Sequence, residues 1–417
     1  MPQLTPDSFA FGGGLMGVDE AAGLLARRVS AVGEVERVPV ADCAGRVLAA
    51  DVPAPINLPP FDNSAVDGYA VAFADLGREG PTAMPVRGRV AAGHGAGLAA
   101  EPGAATRIFT GAPMPAGADT VFMQEDVSAR DGVVELPPGL ARGANMRPAG
   151  EDIAKDEVAL EAGLRLEPRH VALAAALGCD ALPVRRRLRV AVFSTGDEIV
   201  DVGRPLRPAS LYDSNRYALQ ALLRRRGCEV GDLGILPDER ARTHACLAEA
   251  AQDFDLVLSS GGVSTGAEDH VRAAIEEAGA LVFWRLAIKP GRPVAMGVLG
   301  GAPVIGLPGN PVAVFVTFAF VVRPLLAALA AERLPPDLRV PVAADFPYKK
   351  KAGRREYVRV SLAPRPDGSL AAAKHPTDGA GVLTSLTRTD GLAEIAEDVT
   401  RVHPGDRVGF LPYGLLF

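Results

Sequence analysis

The chain has 417 residues, 48% of them hydrophobic and 23% charged, with a formal net charge of −6. That length predicts roughly three domains of about 150 residues each. The composition argues against a disordered chain or a membrane bundle, and the mild acidity argues against a nucleic-acid partner, which needs a strongly basic surface. Cys43, Cys179, Cys228 and Cys246 lie far apart with no CxxC pair, a pattern of reduced thiols in a cytosolic protein rather than of a disulfide or zinc framework. FGGGLMG is too glycine-rich for a signal peptide, and the longest uninterrupted apolar run, residues 312–322, is shorter than the roughly 20 residues that span a bilayer. A cytoplasmic protein without membrane contact is expected.

In chain order, Ala22, Leu25, Ala26 and Val29 recur at helical spacing behind Asp19 and Glu20, which predicts a helix over 18–29. VERVPVAD reads as a strand, and Pro53, Pro55, Pro59 and Pro60 make 45–60 an extended crossover. YAVAF, MPVRGRVAAG, ATRIFTG, DTVFMQEDV and GVVELPPG are spaced like strands of a small antiparallel barrel or sandwich. A helix over 167–178 follows, with Pro168 in its first turn. Residues 188–332 then alternate strand and helix (LRVAVF, CEVGDLGIL, DLVLSS, LVFWRLAI and PVIGL carry the strands), the rhythm of a mainly parallel sheet covered by helices. Beyond Leu334-Pro335-Pro336, PVAADF, REYVRVSL, SLAAAK, LAEIAED and RVGFLPY read as strands again. The expected fold class is multidomain α/β plus β: a central three-layer α/β domain (187–332), an inserted β-barrel-like lid (58–146), a small C-terminal β domain (333–417), and a discontinuous elongated domain from 1–57 and 147–186.

Three apolar runs end in glycine-bearing polar turns: LRVAVF in Ser194-Thr195-Gly196-Asp197-Glu198, DLVLSS in Gly261-Gly262-Val263-Ser264-Thr265-Gly266, and PVIGL in Pro308-Gly309-Asn310-Pro311. Strand ends converging on one crevice predict a ligand site, and bare backbone amides there suit an anionic, phosphate-bearing molecule. Asp197 and Glu198 lie where a phosphate-bridging Mg2+ could be held, although such residues also stabilise turns and helix starts. The glycine loop is neither a Walker A loop nor GxGxxG, and Asp269 beyond it is more often a helix cap. Lys289-Pro290-Gly291-Arg292-Pro293 could present two fixed cations to a dianion, or be a solvated turn. Lys349, Lys350, Lys351, Arg354 and Arg355 read as a solvated hairpin or as anion capture by one arginine. Asp67-Gly68 reads as a turn, whereas local structure leaves Asp62 unexplained. The six histidines show no metal-ligand spacing.

LPPFDNSAVDGYAV, RIFTGAPMPAGADTV, RPAGEDI, STGDEIV, LYDSNRYAL, SSGGVSTGAEDHV, AIKPGRPVA, GLPGNPVAV and GAGVLTSLTRTDGL resemble, in order and over nearly the whole chain, the molybdopterin molybdenumtransferase (molybdenum insertase) family, similar to the E domain of gephyrin. The resemblance implies a transferase of molybdenum cofactor biosynthesis. It would insert molybdate into adenylylated molybdopterin and release AMP with Mg2+ or another divalent cation. It also implies a homodimer whose site lies between the α/β domain of one subunit and the lid of the other, with other cofactor-biosynthesis proteins as further partners. Carried over by motif, Asp62, Glu198 and Asp269 are the functional acids, Glu198 and Asp269 the metal ligands. Ser264, Lys289, Arg292, Arg354 and Ser385 form the molybdate pocket, and Thr110, Asp152, Thr195, Asp197, Ser214, Asn215 and Asn310 contact or position substrate.

Two departures stand out. Arg292 replaces the lysine usual in this family, exchanging a compact ammonium for a planar fork. Thr377-Asp378-Gly379-Ala380-Gly381 replaces a motif often rich in Gln-Gly-Ser-Gly and adds a carboxylate beside the expected anion site. The competing readings are a molybdopterin adenylyltransferase, which shares the α/β domain, and a non-catalytic cofactor carrier or scaffold.

Overall fold

The computed structural model describes residues 15–94, 97–237, 239–262, 271, 274 and 280–417. The first helix, Val18–Arg28, has Asp19 and Glu20 in its first turn, where carboxylates complement the helix dipole. Strand Val35–Pro39 pairs antiparallel with Ala181–Arg185, and Val52–Pro53 pairs with Val158–Leu160. Leu48, Leu160, Leu166, Ala174, Leu182 and Val184 share one core, so segments more than 100 residues apart form a single packing unit around helix Pro168–Ala176.

Between those segments, six strands run in the order Thr120–Met123, Gly68–Val71, Ala105–Ile108, Thr82–Val90, Val133–Leu136, Ser128–Arg130. The long strand Thr82–Val90 pairs with Val133–Leu136 as far as Pro85 and with Ala105–Ile108 from Val86, with a register shift between Val86 and Arg89. It thereby curls one sheet around the buried Val71, Met84, Phe122 and Leu136.

The central sheet has the order Glu229–Leu236, Arg189–Thr195, Leu256–Ser260, Ala302–Leu307, Pro293–Leu299, Ala280–Arg285. Only Pro293–Leu299 runs against the others. The sequence reading assigned no strand there, yet Leu299 faces Ala302 across Gly300-Gly301, whose φ values of 53° and 99° make a two-residue hairpin that glycine favours. The chain turns outward on opposite sides of Arg189–Thr195, so the carboxyl ends of this strand and of Leu256–Ser260 flank the topological switch point.

After that sheet the chain runs helically from Pro311 to Leu329, with a π-helical turn at Phe318–Val322. This span of 19 residues is longer than the apolar run legible in the sequence, with a hydropathy of 2.3 in its most apolar window, and 83% of that window is buried. It is apolar on every side because protein surrounds it. In the C-terminal region, Arg355–Pro364, Leu370–Lys374, Val340–Ala344, Arg407–Pro412 and Gly391–Ile395 close a five-strand ring. Among the contacts that join ring and central unit, Ile288–Lys289 pairs in parallel with Arg355–Glu356, and Phe320 stacks on Tyr357 at 4.2 Å between centroids. All four cysteines are free.

Candidate active site

A cavity of about 340 Å3 opens at the switch point, lined by all three glycine-bearing turns: Ser194, Thr195 and Glu198 from the first, Ser260 and Gly261 from the second, Gly309, Asn310 and Pro311 from the third. Asn215, at the start of helix Asn215–Arg225, donates to Ser260 Oγ at 2.9 Å and to the Gly309 carbonyl at 2.7 Å. One amide therefore ties two of the turns together. Ser214 and Asp213 complete that wall. Asp213, missed from the sequence, accepts from Arg216 Nε at 2.9 Å, and Asp201 and Asp232 also close on the same guanidinium.

Two features leave this cavity chemically open. The hydroxyls of Ser194 and Thr195 are buried without a partner among the described residues, an unusual state for buried oxygens unless a ligand or water completes them. The Glu198 side chain makes no recorded ion pair or hydrogen bond among the described residues and folds back over Gly196, within 2.7 Å of where a Cβ would stand. Asp197, by contrast, does not line the cavity; it is exposed, and its carbonyl accepts from Arg207 at 2.8 Å. Among the described residues no group of three acids, histidines or cysteines could hold a metal alone. A cation here would need substrate phosphate oxygens as well as Glu198, the usual way Mg2+ is shared.

A second cavity, of about 270 Å3, adjoins the first through their common residue Asn310. Lys289, Arg292 and Arg359 supply its cations, Asp378 a carboxylate. Lys289 Nζ lies 3.1 Å from Glu356 Oε2, which also accepts from Tyr348 at 2.7 Å, while Arg354 Nε donates to Glu356 Oε1 at 2.7 Å. Burial alone would raise the Glu356 pKa, but Tyr348, Lys289 and Arg354 overcome it and hold the carboxyl below its usual range. Burial, with Glu356 opposite, pushes the Tyr348 phenol upward. Arg292 has no recorded partner among the described residues and is exposed. Lys374 lies 2.6 Å from Asp378, partly answering the extra carboxylate.

Ser385 does not line either cavity. Fully buried, it accepts from Arg359 Nε at 3.0 Å and donates to the Val382 carbonyl at 2.6 Å, so it fixes the arginine. Arg354 reaches the cavity only through Glu356. Glu356 shares a strand face with Val358 and Val360, both core residues. A charge in phase with a core stripe was the signal that could have found it.

Asp62, Thr110 and Asp152 sit apart from both cavities. Asp62 accepts from the Ala149 amide at 2.7 Å, a structural role unexpected from local sequence. Thr110 donates through N–H and O–H to Asp67, both at 2.8 Å. These two bonds hold the Asp67 carboxyl below its usual range. The Asp152 amide donates to the Leu58 carbonyl at 2.9 Å. Ser264 and Asp269 lie outside the described residues.

A doubly wound sheet with a crevice at its switch point, next to a cation-lined cavity, is the architecture of an α/β enzyme with a small-molecule site. Three family models match in sequence: the MoeA N-terminal region (domain I and II) over residues 16–178, a probable molybdopterin binding domain over 191–328, and the MoeA C-terminal region (domain IV) over 341–413. A molybdopterin molybdenumtransferase of Haemophilus influenzae is 36% identical over 96% of this chain and 100% of its own. Molybdopterin molybdenumtransferase 2 of Mycobacterium tuberculosis is 36% identical over 89% and 93%. The crystal structure of the molybdopterin biosynthesis protein MoeA from Pyrococcus horikoshii OT3 superposes with a TM-score of 0.83 at 30% identity, over 96% of this chain and 100% of that one. The chain belongs to the molybdopterin molybdenumtransferase family, transferases of molybdenum cofactor biosynthesis.

Proposed function

We propose that this chain inserts molybdate into adenylylated molybdopterin and releases AMP. The observation that carries the reading is the pair of adjoining cavities sharing Asn310: one open at the switch point with unpartnered hydroxyls, the other lined by Lys289, Arg292 and Arg359. A phosphate-bearing substrate suits the first, since bare turns and Ser194 and Thr195 can donate to its oxygens. A tetrahedral dianion suits the second. Lys289 and Arg292 bind the oxyanion, Ser385 fixes Arg359 beside it, and Glu356 holds Lys289 in place. Glu198, with Asp269, would hold a divalent cation, which when bound offsets phosphate charge during phosphoanhydride cleavage.

The same reading makes the enzyme a cytoplasmic homodimer. Asp62, Thr110 and Asp152 lie on or beside the inserted sheet and line neither of these two cavities, which fits a lid that serves the other subunit. Leu211 and Tyr212 line the switch-point cavity yet are 52% and 44% exposed, and Val202 and Leu206 on the same loop are 56% and 49% exposed. An apolar rim of this kind suits cover by a second copy.

The test is AMP release from adenylylated molybdopterin by purified protein with Mg2+, with and without molybdate, beside Glu198→Gln and Asp269→Ala. Molybdate-dependent release that both substitutions abolish supports the insertase. Substrate binding without release would instead identify a carrier, and adenylylated product from ATP and free molybdopterin an adenylyltransferase.

A further inference from the structure

At the opposite end of the central sheet lies a small cavity that this function does not use. Arg46, Arg165, Arg185, Arg186, Arg187 and Arg226 line it, with no acid among the lining residues. The residues come from the N-terminal unit, from the connector before strand Arg189–Thr195, and from the end of helix Asn215–Arg225. The cavity thus sits at the joint between the N-terminal core and the central sheet.

The carboxylates around it do not balance these cations. Glu332 takes Arg165 and Arg226 together, with oxygens 2.6 Å and 2.7 Å from their NH2 groups. Glu36 pairs with Arg46, and Asp255 and Glu34 pair with Arg186. Four carboxylates answer four guanidiniums. Arg187 makes only a bond to the Gly227 carbonyl, at 3.0 Å, and no partner is recorded for the Arg185 side chain among the described residues. The Nε atoms of Arg185 and Arg226 are buried without acceptors. Burial first, and Arg165 second, also pull the Arg226 pKa below its ordinary value despite Glu332. Donors without acceptors and cations without counter-charge are what a bound anion supplies.

Size narrows its chemistry. The cavity is small, about 20 Å3, and admits only a compact occupant. We infer that this joint binds one compact inorganic oxyanion of the phosphate or sulfate kind, held by Arg185, Arg187 and Arg226, which ties the N-terminal unit to the central sheet. A nucleotide or molybdopterin is too large to enter. The site is distinct in place and composition from the cation-lined cavity at the carboxyl ends.

Thermal unfolding of the full chain in potassium phosphate, against potassium chloride at equal ionic strength, tests the inference. Phosphate should raise Tm saturably in the wild type and still do so in a Lys289→Ala/Arg292→Ala variant, where adding Arg185→Gln/Arg187→Gln should abolish the rise, phosphate affinity falling roughly tenfold per guanidinium lost. Without phosphate, the glutamine variant should melt no lower than wild type, because it removes unanswered like charges. A rise lost in the Lys289/Arg292 variant would place phosphate in the other cavity, and the absence of a saturable rise would leave only water here. Either result overturns the inference. So does a lower anion-free Tm for the glutamine variant, which would assign these arginines to the fold alone.

Discussion

Arg292 and Lys289 lie three residues apart and do different work. Lys289 is committed to Glu356, whose side chain is 1% exposed, so removing it strips a buried carboxylate of one of its partners. Arg292 has no such tie. Its replacement by alanine should leave stability within about 0.5 kcal/mol, as at most exposed positions. The same change should raise the molybdate concentration for half-maximal AMP release by roughly tenfold, through loss of a charge-assisted contact. Unchanged half-saturation would remove Arg292 from the oxyanion pocket. At this scale the sequence was only partly legible. The cations beside Pro290 announced themselves by type, and Glu198 by its place after a strand. Arg359 and Glu356 did not, because each looks like an ordinary strand residue until the closed ring brings Glu356 to Lys289 and Arg359 to the wall of the same cavity.

Among the elements, the three glycine-bearing turns were the clearest signal, since a strand that stops at small polar residues leaves its last peptides uncovered. The glycines around the two cavities are nevertheless not equivalent. Gly291, in the basic turn, has φ +110° and would place a Cβ 2.5 Å from Thr317 Cγ2. Gly309 has no such φ and nothing within 4 Å. Gly291→Ala should therefore cost on the order of 1–3 kcal/mol in chemical denaturation, while Gly309→Ala should stay near wild type. If Gly309→Ala then loses AMP release at full stability, close approach of a ligand to that turn is the reason for the glycine. Loss of stability instead would show that the turn itself excludes a side chain. The antiparallel strand Pro293–Leu299 escaped the sequence reading although Gly300-Gly301 marked its hairpin, because the basic turn before it was read as a motif and not as a strand start. The arginine-lined joint was illegible for another reason: its residues come from segments scattered between positions 45 and 330, and only the tertiary fold assembles them.

For the whole molecule, the proposed dimer predicts a division of labour between copies. Asp62 lies beside the inserted sheet and Glu198 in the switch-point cavity. If the lid of one subunit completes the site of the other, Asp62→Ala and Glu198→Gln should each be inactive alone. Co-refolded at equal amounts, they should recover about a quarter of wild-type AMP release, since half the dimers are mixed and each carries one intact site. Recovery near zero would place both acids in a site made by one chain. Composition and alternation had made the separate β regions and the α/β core readable, because each has its own hydrophobic period. How those units meet was not readable, because the contacts involve few residues.

One such contact has a mechanical meaning. Tyr357 lines the cation-bearing cavity on one side and rests its ring flat against Phe320 of the buried helix on the other. Phe320 and Tyr357 belong to one buried cluster that continues from the central unit into the ring, and the stacked rings act as a shim within it. Together with the parallel pairing at Lys289, the thickness of two aromatic rings, rather than a loop, spaces the jaws of this cation-lined cavity.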